Sequence, residues 1–169
     1  MVKLVDSLKK DIDNLRKSKE FNEYSKKHAN SYLCAAFMII ESSKKTKWQI
    51  DYYCPGNDMI TTFSLDPQIE MKESKILHRS DDSMNELNIE NIDIGLEESL
   101  KLTSELKNKN YPQEKTSKII IILQNINKKE TWNITYLTSS FNVFNVNIDA
   151  QSGDVLKEKM ENILNFKAQ

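Results

Sequence analysis

The sequence feature that most constrains the fold is a strand-like pattern that occurs twice. WNITY at residues 132–136 repeats WQIDY at residues 48–52, and residues 119–140 align with residues 35–56 at an offset of 84 positions with five identities. In both copies large apolar residues alternate with polar ones, which is typical of a half-buried strand with one apolar face. We therefore predict that the chain makes one structural unit twice.

Each copy lies between two further strand-like segments. In the first half these are Tyr32 to Glu41 and Met59 to Asp66, and in the second half they are the apolar run Ile119 to Leu123 and residues 144–149. Between the first-half strands, residues 54–58 read CPGND, which favours a type II turn with the Pro-Gly pair at its centre. Each half is thus predicted to form a three-stranded antiparallel meander.

Helix-like segments accompany both meanders. Residues 3–28 carry an apolar stripe at spacings of three and four, and Ser18 could cap a second segment within them. Residues 96–108 form a second predicted helix with Asp93 or Gly95 as its N-cap, and residues 155–166 form a predicted C-terminal helix. The inward residues of this last helix would be Leu156, Met160, Ile163 and Leu164. Residues 68–91 are less informative: Ile69 and Met71 could form a short extra strand, and residues 79–83 read as a loop between the halves.

The predicted fold class is α+β, because a three-stranded sheet with one apolar face needs a helix to cover it. We predict two tandem helix-plus-meander units related by a pseudo-twofold axis, followed by a C-terminal helix. The first unit would span residues 1–80, a linker residues 81–91, and the second unit with the C-terminal helix residues 92–169, all in one compact structure. The consecutive large residues of 119–123 predict a strand buried on both faces, with the C-terminal helix or the first unit on the second face.

The second unit resembles the PepSY family. The resemblance rests on IGLEESL at residues 94–100, on WNI at residues 132–134, and on the ending VNIDAQSGDV at residues 146–155, where Asp149 and Gly153 would shape a turn. It covers residues 92–156 and implies a PepSY or cystatin-like arrangement without catalytic activity. It also implies an inhibitory or binding role for the module.

Composition excludes several classes of function. The 24 basic and 25 acidic side chains give a net charge of −1, which provides no general attraction to nucleic acid or anionic membranes. The longest apolar runs are far shorter than a membrane span, and the first ten residues lack a signal-peptide core, so a cytoplasmic location without membrane association is predicted. The three glycines Gly56, Gly95 and Gly153 cannot build a phosphate-binding loop.

Four residues could support thiol or metal chemistry: Cys34, Cys54, His28 and His78. A nucleophilic cysteine needs a base within hydrogen-bonding reach, and neither cysteine has a histidine near it in sequence. The four also lack the close spacing of zinc sites. We therefore predict two reduced thiols and assign no catalytic, cofactor-binding or metal-binding residue, and no cofactor.

Other residues with functional potential have simpler explanations. Trp48, Tyr52, Trp132 and Tyr136 could stack on a nucleic acid or peptide, but aromatic residues that alternate along a strand are usually core. The acidic pairs at residues 97–98 and 81–82 are predicted to be helix-capping and surface charges.

The predicted function is a non-enzymatic binding or structural module whose partner is a protein, a peptide or a second copy of itself. One alternative is a small enzyme with a cysteine/histidine site between the two units. Another is a nucleic-acid binder that uses the strand aromatics, which the balanced charge disfavours.

Overall fold

A computed structural model describes residues 4–76 and 84–168 of the chain. They form one antiparallel sheet of nine strands and three α-helices. The predicted loop at residues 79–83, His78 and the acidic pair at residues 81–82 lie outside the described residues.

Two helices open the chain. Helix α1 spans Leu4–Lys17 and α2 spans Lys19–Lys27. Ser18 separates them and caps α2, because its Oγ accepts the Phe21 N–H at 3.1 Å. This confirms the predicted cap.

Five strands follow in the first half. They are β1 Tyr32–Glu41, the short β2 Lys44–Lys45, β3 Gln49–Cys54, β4 Met59–Ser64 and β5 Glu70–Lys75. Strand β1 has the predicted limits, and β5 is the extra strand that the sequence left open.

The described part of the second half contains one α-helix and four strands. After a 3₁₀ turn at Ile89–Asn91, α3 spans Leu96–Asn110 with Gly95 as its N-cap, which confirms that predicted helix. The strands are β6 Thr116–Ile126, β7 Lys129–Thr138, β8 Asn142–Asp149 and β9 Val155–Asn162, and a 3₁₀ helix at Ile163–Ala168 follows.

The two halves meet edge to edge in one sheet. Its strand order is β5-β4-β3-β1-β6-β7-β8-β9, and β2 pairs with β1 outside this series. The central pair aligns Ala36 with Leu123 and Met38 with Ile121. Because side chains alternate along a strand, this register puts those four residues on one face.

The helices cover that face and form the core with it. Leu8, Ile12 and Leu15 of α1 are at most 1% exposed. The fully buried strand residues beneath the helices are Ala36, Trp48 (adjoining β3), Ile50, Phe63, Ile121, Leu123, Trp132, Ile134, Phe144, Val146 and Ile148. None of the three α-helices has the length and hydropathy needed to span a bilayer.

The predicted fold class of two tandem helix-plus-meander units with a C-terminal helix is wrong. Strands β5 and β9 each add a fourth strand to a half, and the β1–β6 hydrogen bonds merge all the strands into one sheet. The PepSY-like internal repeat predicted from the sequence is therefore not the architecture of this chain. An edge strand of a small sheet with an apolar face is more stable when it pairs with another strand than when the sheet ends there.

The predicted helix at residues 155–166 is a strand over most of its length. Leu156 and Met160 have helical spacing, but Val155–Asn162 pairs with β8 along its whole length. The alternating charges of LKEKME suit an outer strand, where lysine and glutamate discourage pairing with other chains.

Two smaller predictions also fail. The turn at residues 55–58 has its positive φ at Asp58 (φ 56°) and not at Gly56, so it is not a type II turn centred on Pro-Gly. In β6, Ile121 and Leu123 are fully buried but Ile120 and Ile122 are partly exposed, so the strand is not buried on both faces.

Candidate functional site

The second face of the sheet is the candidate site, and none of the described helices packs on it. Polar groups of the first face bind the helices or their flanks: Tyr136 Oη lies 2.7 Å from Thr103 Oγ1, and the Trp132 indole N–H donates to the Ile94 carbonyl at 2.8 Å. On the second face, the described side-chain hydrogen bonds that leave the strands go to loops and turns; for example, the Tyr32 hydroxyl donates to the Met84 carbonyl, and the Tyr53 hydroxyl donates to Asp58 Oδ1 in the β3–β4 turn. We call this second face the open face.

An apolar patch lies at the centre of the open face. Phe37 pairs with Ile122 and Ile39 pairs with Ile120 across the central strands. All four side chains are partly exposed, whereas their neighbours Met38 and Ile121 on the helix side are buried. We call these four residues the central patch.

Uncharged polar residues border the central patch on the β7 side. Asn133 pairs with Ile122 and with Asn147, and Thr135 pairs with Ile120 and with Asn145. The Asn145 amide donates to Asn133 Oδ1 at 2.7 Å and to Thr135 Oγ1 at 2.8 Å, which fixes its orientation. Side chains held this way lose little conformational entropy when a partner binds.

The β3 side of the patch is also polar. Gln49 pairs with Phe37, and Asp51 pairs with Ala35 and with Thr62. Burial raises the pKa of Asp51, and the hydrogen bond from Thr62 Oγ1 at 2.7 Å offsets part of that rise. Next to Ile39 and Ile120 on the same face, Glu41 and Lys118 form an ion pair at 3.7 Å across the central strands. Other charged residues, such as Lys72 and Lys157, lie on the outermost strands, three strands from the patch.

The sequence carries a signal for the open face that none of the predictions drew on. Alternate positions of residues 145–149 (NVNID) are asparagine or aspartate, separated by large apolar residues, and WNIT in β7 has the same form. Asparagine is depleted in strands, so a row of asparagines on one face indicates a face with solvent or a polar partner.

The structure describes three of the four candidate thiol and histidine residues, Cys34, Cys54 and His28. Cys34 lies at a register shift in β1, where its Sγ donates to the Asp51 carbonyl at 3.4 Å, and burial together with the nearby Asp51 carboxylate raises its pKa to about 12. Cys54 is buried at the end of β3.

His28 follows α2, with its ring 4.8 Å from that of Tyr24 and its Nε2 3.7 Å from a Glu73 oxygen. Among the described residues no hydrogen bond or ion pair joins His28 to a cysteine, and no group of three or more histidine, cysteine, aspartate or glutamate side chains could hold a metal ion.

The four strand aromatics belong to the core, as predicted. Trp48 and Trp132 are each 1% exposed, and Tyr52 and Tyr136 are each 3% exposed, so they cannot stack on a base or a peptide without unfolding. Glu97 and Glu98 lie in the first turn of α3 and are exposed, in agreement with a capping role.

Asp149 and Gly153 shape the turn that the sequence indicated. Asp149 Oδ1 accepts the N–H groups of Gln151 and Ser152, and the Gly153 N–H donates to the Asp149 carbonyl. Gly153 has φ +82°, a conformation that side chains disfavour. The Ala150 carbonyl accepts the N–H groups of Asp93 and Ile94, so the turn anchors the segment before α3.

The comparisons with known proteins identify a fold relative. No family model and no curated protein matches the chain. A crystal structure of a "putative lipoprotein" from Clostridium difficile 630 is similar with a TM-score of 0.55 and 12% identity, over 95% of this chain and 93% of that one. The similarity supports the overall fold. The resemblance of residues 92–156 to the PepSY family has no support from these comparisons.

Proposed function

We propose that the chain is a non-enzymatic binding module whose open face docks on a partner protein. The observation that carries the proposal is the layout of that face: its apolar centre is bordered by polar side chains on the β7 and β3 sides, and by the Glu41–Lys118 ion pair at one end. Protein interfaces have this layout: their centres are apolar and poor in charge, and their rims are polar. A nucleic-acid interface would need basic residues, and the chain has a net charge of −1.

Docking by the outer strands is less suitable. Strand β5 reads EMKESK and all six residues are exposed, and β9 carries alternating lysine and glutamate. Charged outer strands discourage the addition of another strand. We therefore expect a partner to bind more tightly to the open face than to the outer strands of the sheet.

Site-specific crosslinking tests this proposal. A photoreactive phenylalanine at Phe37 should give a discrete adduct in cells, whereas the same group at Leu156, an exposed apolar residue of β9, should not. The protein in the adduct, once purified, should bind the wild-type chain directly, and Ile122→Lys should weaken that binding at least tenfold, about 1.4 kcal/mol.

The control variant is Leu156→Lys, which places the same charge on β9, three strands from the central patch. Identical adducts from positions 37 and 156, or unchanged affinity of a folded Ile122→Lys variant, would contradict the proposal. An adduct with the chain itself would identify the partner as a second copy.

We also propose a cytoplasmic location, as the sequence predicted. Because the fold relative is named a "putative lipoprotein", the experiment must distinguish a cytoplasmic location from a membrane location. Fractionation of cells that express the natural gene should leave the protein in the supernatant after high-speed centrifugation. Recovery with the membranes, released by detergent but not by high salt, would contradict this location.

A further inference from the structure

A polar cleft of about 490 Å³ lies on the helix side of the sheet, away from the open face. One wall is α1, which presents Lys9, Asp13 and Arg16 at positions i, i+4 and i+7, the spacing of a single helix face. The opposite wall is residues 86–90. The floor is formed by Asn125 of β6 and Glu130 of β7, which are paired across the two strands.

Glu130 is the deepest charged group of the cleft. It is 8% exposed, and its carboxylate accepts from the Asn88 N–H at 3.2 Å and from the amides of Asn125 at 3.4 Å and Asn91 at 3.5 Å. All three donors are neutral, and in the described part of the chain no lysine, arginine or histidine nitrogen forms an ion pair with it. A buried carboxylate with long hydrogen bonds and no cation is costly to retain.

Asn125 adds a second acceptor to the floor. Its amide nitrogen donates to the Glu86 carbonyl at 3.1 Å and to Glu130. Its Oδ1 is buried and has no hydrogen-bond partner among the described residues. Two neighbouring acceptors without a strong donor match a group that carries several N–H donors.

The charge of the walls agrees with a cationic ligand. Carboxylates outnumber cations around the cleft, and Lys9 is already paired with Glu90 at 3.2 Å. We propose that the cleft binds a small organic cation, an alkyl guanidinium or primary ammonium group, which donates to Glu130 and Asn125. The group could belong to a free small molecule or to the side chain of an arginine or lysine in a peptide. This site is independent of the open face, on the other side of the sheet.

Calorimetric titration of the full chain tests the site. The probes are agmatine and L-arginine as free guanidinium compounds, a capped Ala-Arg-Ala peptide, and L-citrulline as the analogue of arginine whose side chain is neutral. At least one cationic probe should bind at least tenfold more tightly than citrulline, and the binding should weaken as salt is added. Binding of the free compounds would assign the site to a small molecule, and binding of the peptide alone would assign it to a protein side chain.

Glu130→Gln should weaken binding of that probe at least tenfold while the free protein keeps or raises its melting temperature, because the variant retains an acceptor and removes an unpaired charge. Asn125→Ala should also weaken binding, and it is the test variant if Glu130→Gln does not fold. Glu41→Gln, at the other end of the β1–β6 pair, is the control and should bind normally. The proposal is overturned if no cationic probe is preferred over citrulline, or if a folded Glu130→Gln or Asn125→Ala variant binds as the wild type does.

Discussion

The indole rings of Trp48 and Trp132 lie 6.3 Å apart, centroid to centroid, and their planes are tilted by 38°. The pair joins the two halves of the core beneath the helices. The rings differ in their polar contacts, however. Trp132 donates its N–H to the Ile94 carbonyl, whereas the Trp48 N–H is buried without a partner among the described residues.

This difference predicts unequal effects of replacing each tryptophan with phenylalanine. Trp132→Phe leaves the Ile94 carbonyl without its donor, while Trp48→Phe removes a buried donor that has no acceptor in the described part of the chain. Trp132→Phe should therefore destabilise the protein by about 1–3 kcal/mol more than Trp48→Phe. Urea unfolding of the two variants measures the difference, and equal losses would show that ring volume alone matters.

Asp149 should stabilise the fold at neutral pH. Burial acts to raise its pKa, but the Gln151 N–H, the Lys129 ammonium at 3.1 Å and the Ser152 N–H together hold that pKa below its usual value. A lowered pKa contributes stability above about pH 4, and this is lost as the pH falls and the carboxylate is protonated in the folded state. Asp149→Asn should cost about 1–3 kcal/mol at pH 7 and much less at pH 2, as measured by urea unfolding at both pH values. An equal cost at both would exclude the charge as the cause.

Asp51 should behave in the opposite way. Its pKa is raised by burial, so the ionised form opposes folding, and its penalty grows as the pH rises from about 4 through the raised pKa. Asp51→Asn, which keeps the acceptor for Thr62, should raise the melting temperature at pH 7 and leave it unchanged at pH 3. Lower stability of the variant at pH 7 would mean that an unidentified group stabilises the carboxylate.

Cys34 should be inert in the native protein. With a thiol pKa of about 12, roughly one Cys34 in ten thousand carries a thiolate at pH 8, and the thiolate is the reactive form. Labelling with a thiol reagent should be slow for the folded chain and fast in guanidinium chloride, and Cys34→Ala should not affect partner binding. Rapid labelling of folded Cys34 would revive the enzyme alternative.

The second half should self-associate when it is expressed alone. In the whole protein, β6 is covered on one edge by β1. A fragment of residues 88–169 would expose that edge with its four consecutive isoleucines, and two fragments could pair through it. Analytical ultracentrifugation should show dimers or larger species, and Ile120→Lys should shift them toward monomer. A cooperatively folded monomeric fragment would show that β1 is dispensable.

Local signals predicted the local structure of most of the chain. The alternation of apolar and polar residues predicted β3, β7 and β8, and the helical spacing of apolar residues predicted α1 and α3. Asp149 and Gly153 predicted the turn between β8 and β9. Strand β9 was missed because Leu156, Met160, Ile163 and Leu164 fit a helix as well as a strand, and pairing with β8 decides between them.

The central patch of the candidate site could not be predicted from the sequence for a similar reason. Ile120 and Ile122 are as apolar as their buried neighbours, and only the position of the helices makes their face the open one. Glu130 was not singled out either, because its burial depends on α1 and residues 86–90, which come from distant parts of the chain.

The central β1–β6 pair has a consequence for how the chain folds during synthesis. It joins Ala35 to Gln124 and Glu41 to Lys118, partners from opposite halves of the sequence. By the time β6 leaves the ribosome, β1 can already have paired with β3 on its other side, so its second edge stays unpaired while the segment between β1 and β6 is synthesised. Closing so long a loop is entropically expensive and places the protein among slow-folding sheet topologies. We therefore expect a chaperone to protect the unpaired edge of β1 chiefly before β6 has been synthesised.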